Sequence, residues 1–234
     1  GFSYWRYPAG GQDEEETTYV PDDNFEQALI DLGYDDVLDN YVLTESINGI
    51  TYLNVAEKEI SDLTGIEGFT ALNELYCYDN SLTSIDVSNN TALTSLNCRT
   101  NALTALDVSN NTLLTWLHAG TNQLTALDVS QNTELTTLYV GFNSLDSLDV
   151  SANTALTLLK CPSNQLVSID VGTNIALENL DLWNNQLTTL DVNNNTALIK
   201  LKASSNDIIA LDVSVNTALT ELLCNNNQLT YLNM

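Results

Sequence analysis

Basic residues are scarce in this chain. Its 234 residues contain 6 Lys and Arg against 31 Asp and Glu, a formal charge of -25. A surface this negative repels phosphate backbones and anionic lipid, so we expect neither nucleic-acid binding nor electrostatic docking to a membrane. Hydrophobic residues still make up 44% of the chain, which indicates a folded protein rather than a disordered one.

Long apolar runs are also missing. Thr, Ser, Asn or Asp interrupts the apolar residues, and no stretch reaches the roughly 18 apolar residues of a membrane span, so we expect no membrane insertion. The chain begins at Gly1 without a charged and then apolar leader. We therefore expect that any export signal was removed or never included.

The sequence contains instead an internal repeat. Its unit reads LxxLxCxxNxLTxLDVSxNTA, with Ala, Val or Leu also found at the Cys position. The first leucines of successive units are each 21 residues apart: Leu72, Leu93, Leu114, Leu135, Leu156, Leu177, Leu198 and Leu219. Leu at unit positions 1 and 4 and the small residue at position 6 alternate as a strand with one buried side. The Leu-x-Val at positions 14 to 16 predicts a second short strand or turn on the opposite wall.

The unit resembles the bacterial leucine-rich repeats of 21 residues called the IRREKO class. The segments VPDDNFEQALIDLGYDD, ISDLTGI, LTSLNC and LDVSNNT are similar to surface or secreted proteins of the Bacteroidetes. The resemblance covers residues 19–234. It implies a leucine-rich-repeat solenoid, secreted or at the cell surface, with further repeats or a sorting domain after Met234. Such scaffolds host many partners, so the resemblance leaves the ligand open.

Four segments follow from these patterns. Residues 1–20 have no sustained apolar period and are interpreted as a linker or a cloning remnant. Residues 21–49 form a predicted helical cap, with Asp23 as N-cap, Glu26 completing a capping box and Gly33 ending the helix. Residues 50–71 form a degenerate 22-residue repeat, and residues 72–234 form eight 21-residue repeats, the last incomplete. We expect a monomeric, right-handed solenoid with parallel strands on one face and an N-terminal α-helical cap.

Two asparagine columns and one aspartate column run through the repeats. Asn recurs at position 9 (Asn80 to Asn227) and at position 19 (Asn90 to Asn216), where we expect the amides to bond the backbone at the two bends. Asp recurs at position 15, from Asp86 to Asp212. These carboxylates either accept bonds from nearby hydroxyls and backbone amides, the preferred interpretation, or hold calcium as in a calcium-stabilised adhesin.

The four cysteines share position 6: Cys77, Cys98, Cys161 and Cys224. We expect four buried free thiols, because parallel side chains on adjacent coils hold the Cβ atoms too far apart for a disulfide. The single histidine, His118, has no cysteine on its face, and its expected neighbours Asn97 and Tyr139 supply no nucleophile. The sequence therefore predicts no catalytic residue, no cofactor, no metal and no enzyme.

Functional information is concentrated at positions 3, 5, 7 and 8, which vary from unit to unit and form what we call the variable face. The predicted ligand-binding residues on it are Tyr76, Tyr78, Arg99, Trp116, His118, Tyr139, Phe142, Lys160, Asp181, Trp183 and Lys202. Exposed aromatic and basic residues are typical of interface hot spots. We expect a module that binds a protein or, as second choice, a surface glycan. The alternatives are a structural spacer or stalk, or an ice- or surface-adhering solenoid that uses its threonine columns.

Overall fold

The computed structural model describes residues 15–234. Its N-terminal cap consists of β1 (Thr17–Tyr19), α1 (Asp23–Leu32), β2 (Tyr41–Leu43) and α2 (Thr44–Ile47). Strand β1 pairs antiparallel with β2. Residues 17–19 are thus part of the cap, and the interpretation of the whole of residues 1–20 as linker is wrong for this strand. The rest of the predicted linker, residues 1–14, lies outside the described residues.

Helix α1 begins one residue earlier than predicted. Asp22, not Asp23, is the N-cap, because its Oδ1 accepts hydrogen bonds from the backbone N–H groups of Asn24 and Phe25, both at 3.0 Å. The predicted capping box is wrong as well. Glu26 is fully buried, and its Oε1 accepts from the N–H of Tyr41 and of Asp39. Gly33 ends the helix in the left-handed conformation, with φ of 80°, as predicted.

The repeats form a parallel sheet of nine three-residue strands, whose hydrogen-bonded order follows the chain. Its strands are β3 (Tyr52–Asn54), β4 (Glu74–Tyr76), β5 (Ser95–Asn97), β6 (Trp116–His118), β7 (Thr137–Tyr139), β8 (Leu158–Lys160), β9 (Asn179–Asp181), β10 (Lys200–Lys202) and β12 (Glu221–Leu223). A 3-10 turn at Ile66–Gly68 follows β3, and β11 (Ala210–Asp212) belongs to a separate sheet. Tyr52 aligns with Glu74, in agreement with a 22-residue first repeat, and Glu74 aligns with Ser95. The chain is therefore a solenoid.

The opposite wall consists mainly of turns. On the 129–135 bend, for example, Asn132 N–H donates to the Val129 carbonyl, and Leu135 N–H donates to the Asn132 carbonyl. Within residues 15–234, strands occur on this wall only as β11 and β13 (Tyr231–Asn233), which pair in parallel. The second strand predicted from Leu-x-Val therefore forms in two coils and is replaced by turns elsewhere.

The position-9 asparagines bond the backbone at the first bend, as predicted. The Nδ2 of Asn101 donates to the carbonyls of Cys77 and Cys98, and its Oδ1 accepts from the N–H of Leu82. One side chain therefore joins two successive coils. The same three bonds recur along the column, because the unit length never changes between β4 and β12.

The position-19 asparagines are buried at the second bend. The Nδ2 of Asn132 donates to the Val108 and Asn111 carbonyls, both at 2.9 Å, whereas its Oδ1 has no partner among the described residues. A buried Oδ1 without a partner is costly. The amide is therefore placed for its two donated bonds. Both carbonyls also accept a backbone N–H within their own turn, so the amide contributes a second bond that joins the two coils.

The aspartates at position 15 are committed to the turns of their own coils. In each of the seven coils from Asp86 to Asp212, Oδ1 accepts from the backbone N–H two residues later, at 2.8 to 2.9 Å. Side-chain and backbone hydrogen bonds from Ser109 lower the pKa of Asp107 below its ordinary value. This geometry confirms the hydrogen-bonding interpretation of the column.

Three of the four cysteines are buried free thiols, as predicted, and burial raises the pKa of Cys98 to about 12. Cys224 is only half-buried, which corrects the prediction. It lies in the last described coil, where no further coil packs against position 6.

Replacing Asn132 by Ala should destabilise the fold by about 2 kcal/mol, because two hydrogen bonds between coils are lost at about 1 kcal/mol each, while both carbonyls keep a backbone donor. The measurement is chemical denaturation of N132A beside Q131A, whose exposed side chain bonds only Ser130 Oγ. Q131A should match the parent chain. Equal stability of both variants would contradict the role assigned to the amide.

Candidate recognition surface

The strands determine which side chains reach the variable face. Position 4 is buried in the coils from Leu75 to Leu201, as at Leu117 and Leu138, so positions 3 and 5 project to the other side of the sheet. Trp116 and His118 are partly exposed from β6, and Tyr139 from β7. The structure thus brings three of the predicted residues onto two adjacent strands.

These three side chains form an aromatic cluster. His118 and Tyr139 have ring centroids 4.9 Å apart, and Trp116 lies 5.8 Å from His118 and 6.0 Å from Tyr139. The amino group of Lys160 sits 5.1 Å from the Tyr139 ring centroid, within range of a cation–π contact. The cluster is a contiguous apolar surface with a cation at one border.

A second group lies toward the cap. The Arg99 guanidinium is 4.6 Å from the Tyr78 ring centroid and 3.2 Å from an oxygen of Asp79. The Tyr76 hydroxyl donates to Glu74. These side chains and the aromatic cluster surround an open depression of about 690 Å³.

Two residues that line this depression were missed from the sequence. Tyr52 and Asn54 come from β3, in the degenerate repeat, and the Tyr52 ring centroid lies 5.6 Å from that of Tyr76. The available signal was the 22-residue spacing, which aligns Tyr52 with position 3 of the next unit. Asn97, in the floor, is only 8% exposed.

The remaining predicted residues lie toward the other end of the sheet. Phe142 and Trp183 are exposed and have ring centroids 6.4 Å apart. Lys160, Asp181 and Lys202 line a smaller depression of about 160 Å³. The eleven predicted residues are therefore distributed over one continuous face, in groups, rather than gathered into one pocket.

Position 8 differs from the other variable positions. Its residues all have positive φ: Asp79, Thr100, Thr121, Phe142, Ser163, Asn184, Ser205 and Asn226. This left-handed conformation disfavours β-branched and bulky side chains. Position 8 is consequently constrained by the bend, which corrects its description as a freely variable sheet position.

The variable face is electrically distinct from the rest of the chain. Four of the six basic residues of the sequence lie on it: Arg99, Lys160, Lys200 and Lys202. Burial, with smaller contributions from Arg99 and Lys160, lowers the pKa of His118 from 6.5 to about 4. The imidazole is therefore neutral at physiological pH and contributes to the cluster as an aromatic ring.

Comparison with known proteins agrees with the repeat architecture. No family model matches the chain. Internalin J of Listeria monocytogenes serotype 4b is 40% identical over 80 residues, which cover 34% of this chain and 9% of that protein. The solved functional domain of internalin J, which includes a cysteine ladder, is 33% identical, with 93% of this chain and 61% of that domain covered and a TM-score of 0.55.

Two further solved structures share the fold. A leucine-rich-repeat protein of Leptospira interrogans is 27% identical over 82% of this chain and 56% of that one, with a TM-score of 0.73. Internalin C2 of Listeria monocytogenes is 19% identical over 91% of this chain and 94% of its own, with a TM-score of 0.72. The chain is thus a leucine-rich-repeat solenoid. Its similarity to internalin J of Listeria agrees with the predicted bacterial leucine-rich-repeat scaffold without catalytic activity.

The chain spans less than two thirds of internalin J and of its solved domain. No helix in the described part of the chain has the length and apolar character needed to cross a membrane. Within residues 15–234, no three His, Cys, Asp or Glu side chains are grouped as metal ligands.

His118 should titrate with a pKa near 4, well below 6.5, when followed by NMR of the imidazole carbons. Because the folded pKa is depressed, its contribution to stability is fully present above about pH 6.5 and is lost as pH falls toward 4. K160Q, which removes one nearby charge, should raise the measured pKa. A parent pKa of about 6.5 would contradict the electrostatic description.

Proposed function

We propose that this chain is a non-catalytic recognition module of a bacterial secreted or surface protein, and that it binds a protein partner through its variable face. The assignment of the repeats to the IRREKO type and of the source to the Bacteroidetes belongs to the same proposal. The bacterial recognition module is supported by the similarity to internalin J, whereas the repeat type and the source are supported by the repeat motifs alone.

One observation carries the proposal: the aromatic residues of the variable face contact one another while they remain partly exposed. Trp116, His118 and Tyr139 hold their rings within 4.9 to 6.0 Å without being covered by other parts of the described chain. Trp, Tyr and Arg are the residue types enriched in interface hot spots, and rigid aromatic side chains lose little entropy on binding.

The opposite wall supports the same conclusion by contrast. Its aspartates repeat one carboxylate per coil, and each oxygen Oδ1 is used by its own turn. A wall that presents the same groups in every coil carries little information for selecting a partner. Recognition is therefore assigned to the face whose side chains differ between coils.

The test is capture of a partner on the immobilised repeat domain, followed by affinity measurement for the parent chain and W116A/Y139A. Truncating two central aromatic residues should weaken binding by about 100-fold, since hot-spot truncations cost about 2 kcal/mol or more. The control is Y231A, which removes an exposed aromatic ring from the opposite wall.

Y231A should bind as the parent does. Unchanged affinity of W116A/Y139A would remove the proposed surface. Retention on neutral oligosaccharides, with no protein captured, would replace the protein partner by a glycan.

A further inference from the structure

On three coils of the variable face, those of Asn54, Asn97 and Asp181, the side chain at position 5 accepts a hydrogen bond from the backbone N–H at position 7. Oδ1 of Asn97 accepts from Arg99, at 3.4 Å, and Oδ1 of Asp181 accepts from Trp183, at 3.1 Å. Because position-5 side chains project onto the variable face, these bonds show that the position-7 N–H points to that face as well.

The position-7 N–H also has no hydrogen-bond partner within residues 15–234 at Tyr78, Ser204 and Asn225. Two adjacent coils that lack the bond differ from these in having glycine at position 7. There, position 5 holds His118 and Tyr139, and position 7 holds Gly120 and Gly141. Both glycines are buried, and neither backbone N–H donates to any group in residues 15–234. Buried N–H groups without a partner are rare in native proteins and require an explanation. An acceptor from outside the chain would satisfy both.

The two N–H groups lie side by side, because adjacent coils of a parallel sheet are about 4.8 Å apart. Neither glycine has a side chain of its own that could cover its N–H. A Cβ at Gly120 would lie 3.2 Å from Nε2 of His118, so that ring borders the pair. At Gly141 the absence of a side chain is also required by packing, since a Cβ would lie 2.6 Å from Cδ and Cγ of Pro162. Pro162 occupies position 7 of the following coil and has no N–H, so the pair of donors ends there.

The surroundings of this pair favour an acceptor that is negatively charged. Lys160 extends over the ring of Tyr139, beside Gly141, and Arg99 occupies position 7 of the preceding coil. Both cations act on His118, and among charged groups only they shift its pKa appreciably. Two of the six basic residues of a chain that carries -25 therefore lie next to this pair.

The acceptor's neighbours must be apolar. His118 and Tyr139 stand on one side of the glycines, and Phe142, 54% exposed, stands at position 8 on the other. A single carboxylate flanked by an apolar side chain fits this arrangement. A polyanion does not, because the remaining surface of the chain would repel it.

We propose that the N–H groups of Gly120 and Gly141, together with Lys160, bind one carboxylate of the protein partner. The carboxylate belongs to an Asp or Glu next to an apolar residue that contacts Tyr139 and Phe142. Two backbone N–H groups and an ammonium group donate charge-assisted hydrogen bonds to its oxygens. This inference rests on the proposed function, because it specifies the chemistry of the partner's contact.

The first test follows the glycine amides by ¹H–¹⁵N NMR during titration with two probes, acetyl-Phe-Asp-amide and acetyl-Phe-Asn-amide. The aspartate peptide should shift the Gly120 and Gly141 resonances and leave those of Gly33 and Gly172 in place. The asparagine peptide should bind about tenfold more weakly, since it lacks the charge. Equal affinity of the two peptides, or no selective shift at Gly120 and Gly141, would overturn the proposal.

The second test supplies an acceptor for the Gly120 N–H from the chain's own position 5. H118N places at position 5 the residue that already bonds the position-7 N–H at Asn97, and also at Asn54, whose Oδ1 accepts from Ala56 at 3.1 Å. H118L removes the same ring without supplying an acceptor, and position 5 already holds a leucine at Leu223. H118N should weaken binding of the aspartate peptide several-fold more than H118L does.

Charge is tested in the same way with K160Q against K200Q. Only K160Q should lower the affinity for the aspartate peptide. Equal effects within both pairs of variants would overturn the carboxylate site. If the peptides fail to bind but W116A/Y139A still loses the captured partner, the subsite is wrong and the proposed function stands.

Discussion

The solenoid depends on two asparagine amides in each coil that donate to backbone carbonyls of the coils before them. The strands are only three residues long, so most of each coil lies outside the sheet and its peptide groups need other partners. At one bend Asn101 supplies them, and at the other Asn132 does. Without the position-9 side chains, carbonyls such as that of Cys98 would have no donor. The position-19 amides add a bond between coils to carbonyls that already accept a backbone N–H.

The constant length of the repeat follows from this bonding. Nδ2 of Asn132 reaches Val108 and Asn111, which lie 24 and 21 residues earlier in the chain. An insertion of one residue would move either the amide or its acceptors out of range in two coils at once. The hydrophobic core alone would tolerate more variation, because a buried leucine has no such directional requirement. The amides fix the register, and the leucines supply the buried apolar area.

Because the asparagine amides fix the bends, the residues at the outward positions of the sheet can vary without changing the fold. Position 5 carries Tyr76, Asn97, His118, Tyr139 and Lys160 in five successive coils, yet the register of the strands stays the same. Stability and recognition are thereby assigned to different columns of one unit. This division explains how a monotonous repeat can present a surface that is specific along its length.

The repeat, the core and both asparagine columns could be predicted from the sequence because each is repeated and each follows from one periodicity. Features that occur only once in the chain could not be predicted in this way. The helix start at Asp22 and the buried position of Glu26 depend on contacts with residues 39 to 61, far away in sequence. Tyr52 was missed because its repeat is one residue longer. The left-handed conformation at Phe142 and the unpaired N–H of Gly120 follow from the geometry of the bend. No residue type in the sequence identifies either feature.

The separation of stability from recognition is the central claim, and one triple variant tests it. W116S/H118N/Y139N gives β6 the residues that β5 carries at positions 3 and 5, and gives β7 the same Asn at position 5. Thermal unfolding and partner binding are measured on the same preparation. The account predicts a melting temperature within about 3 °C of the parent and loss of binding. A large fall in melting temperature, or retained affinity, would contradict it.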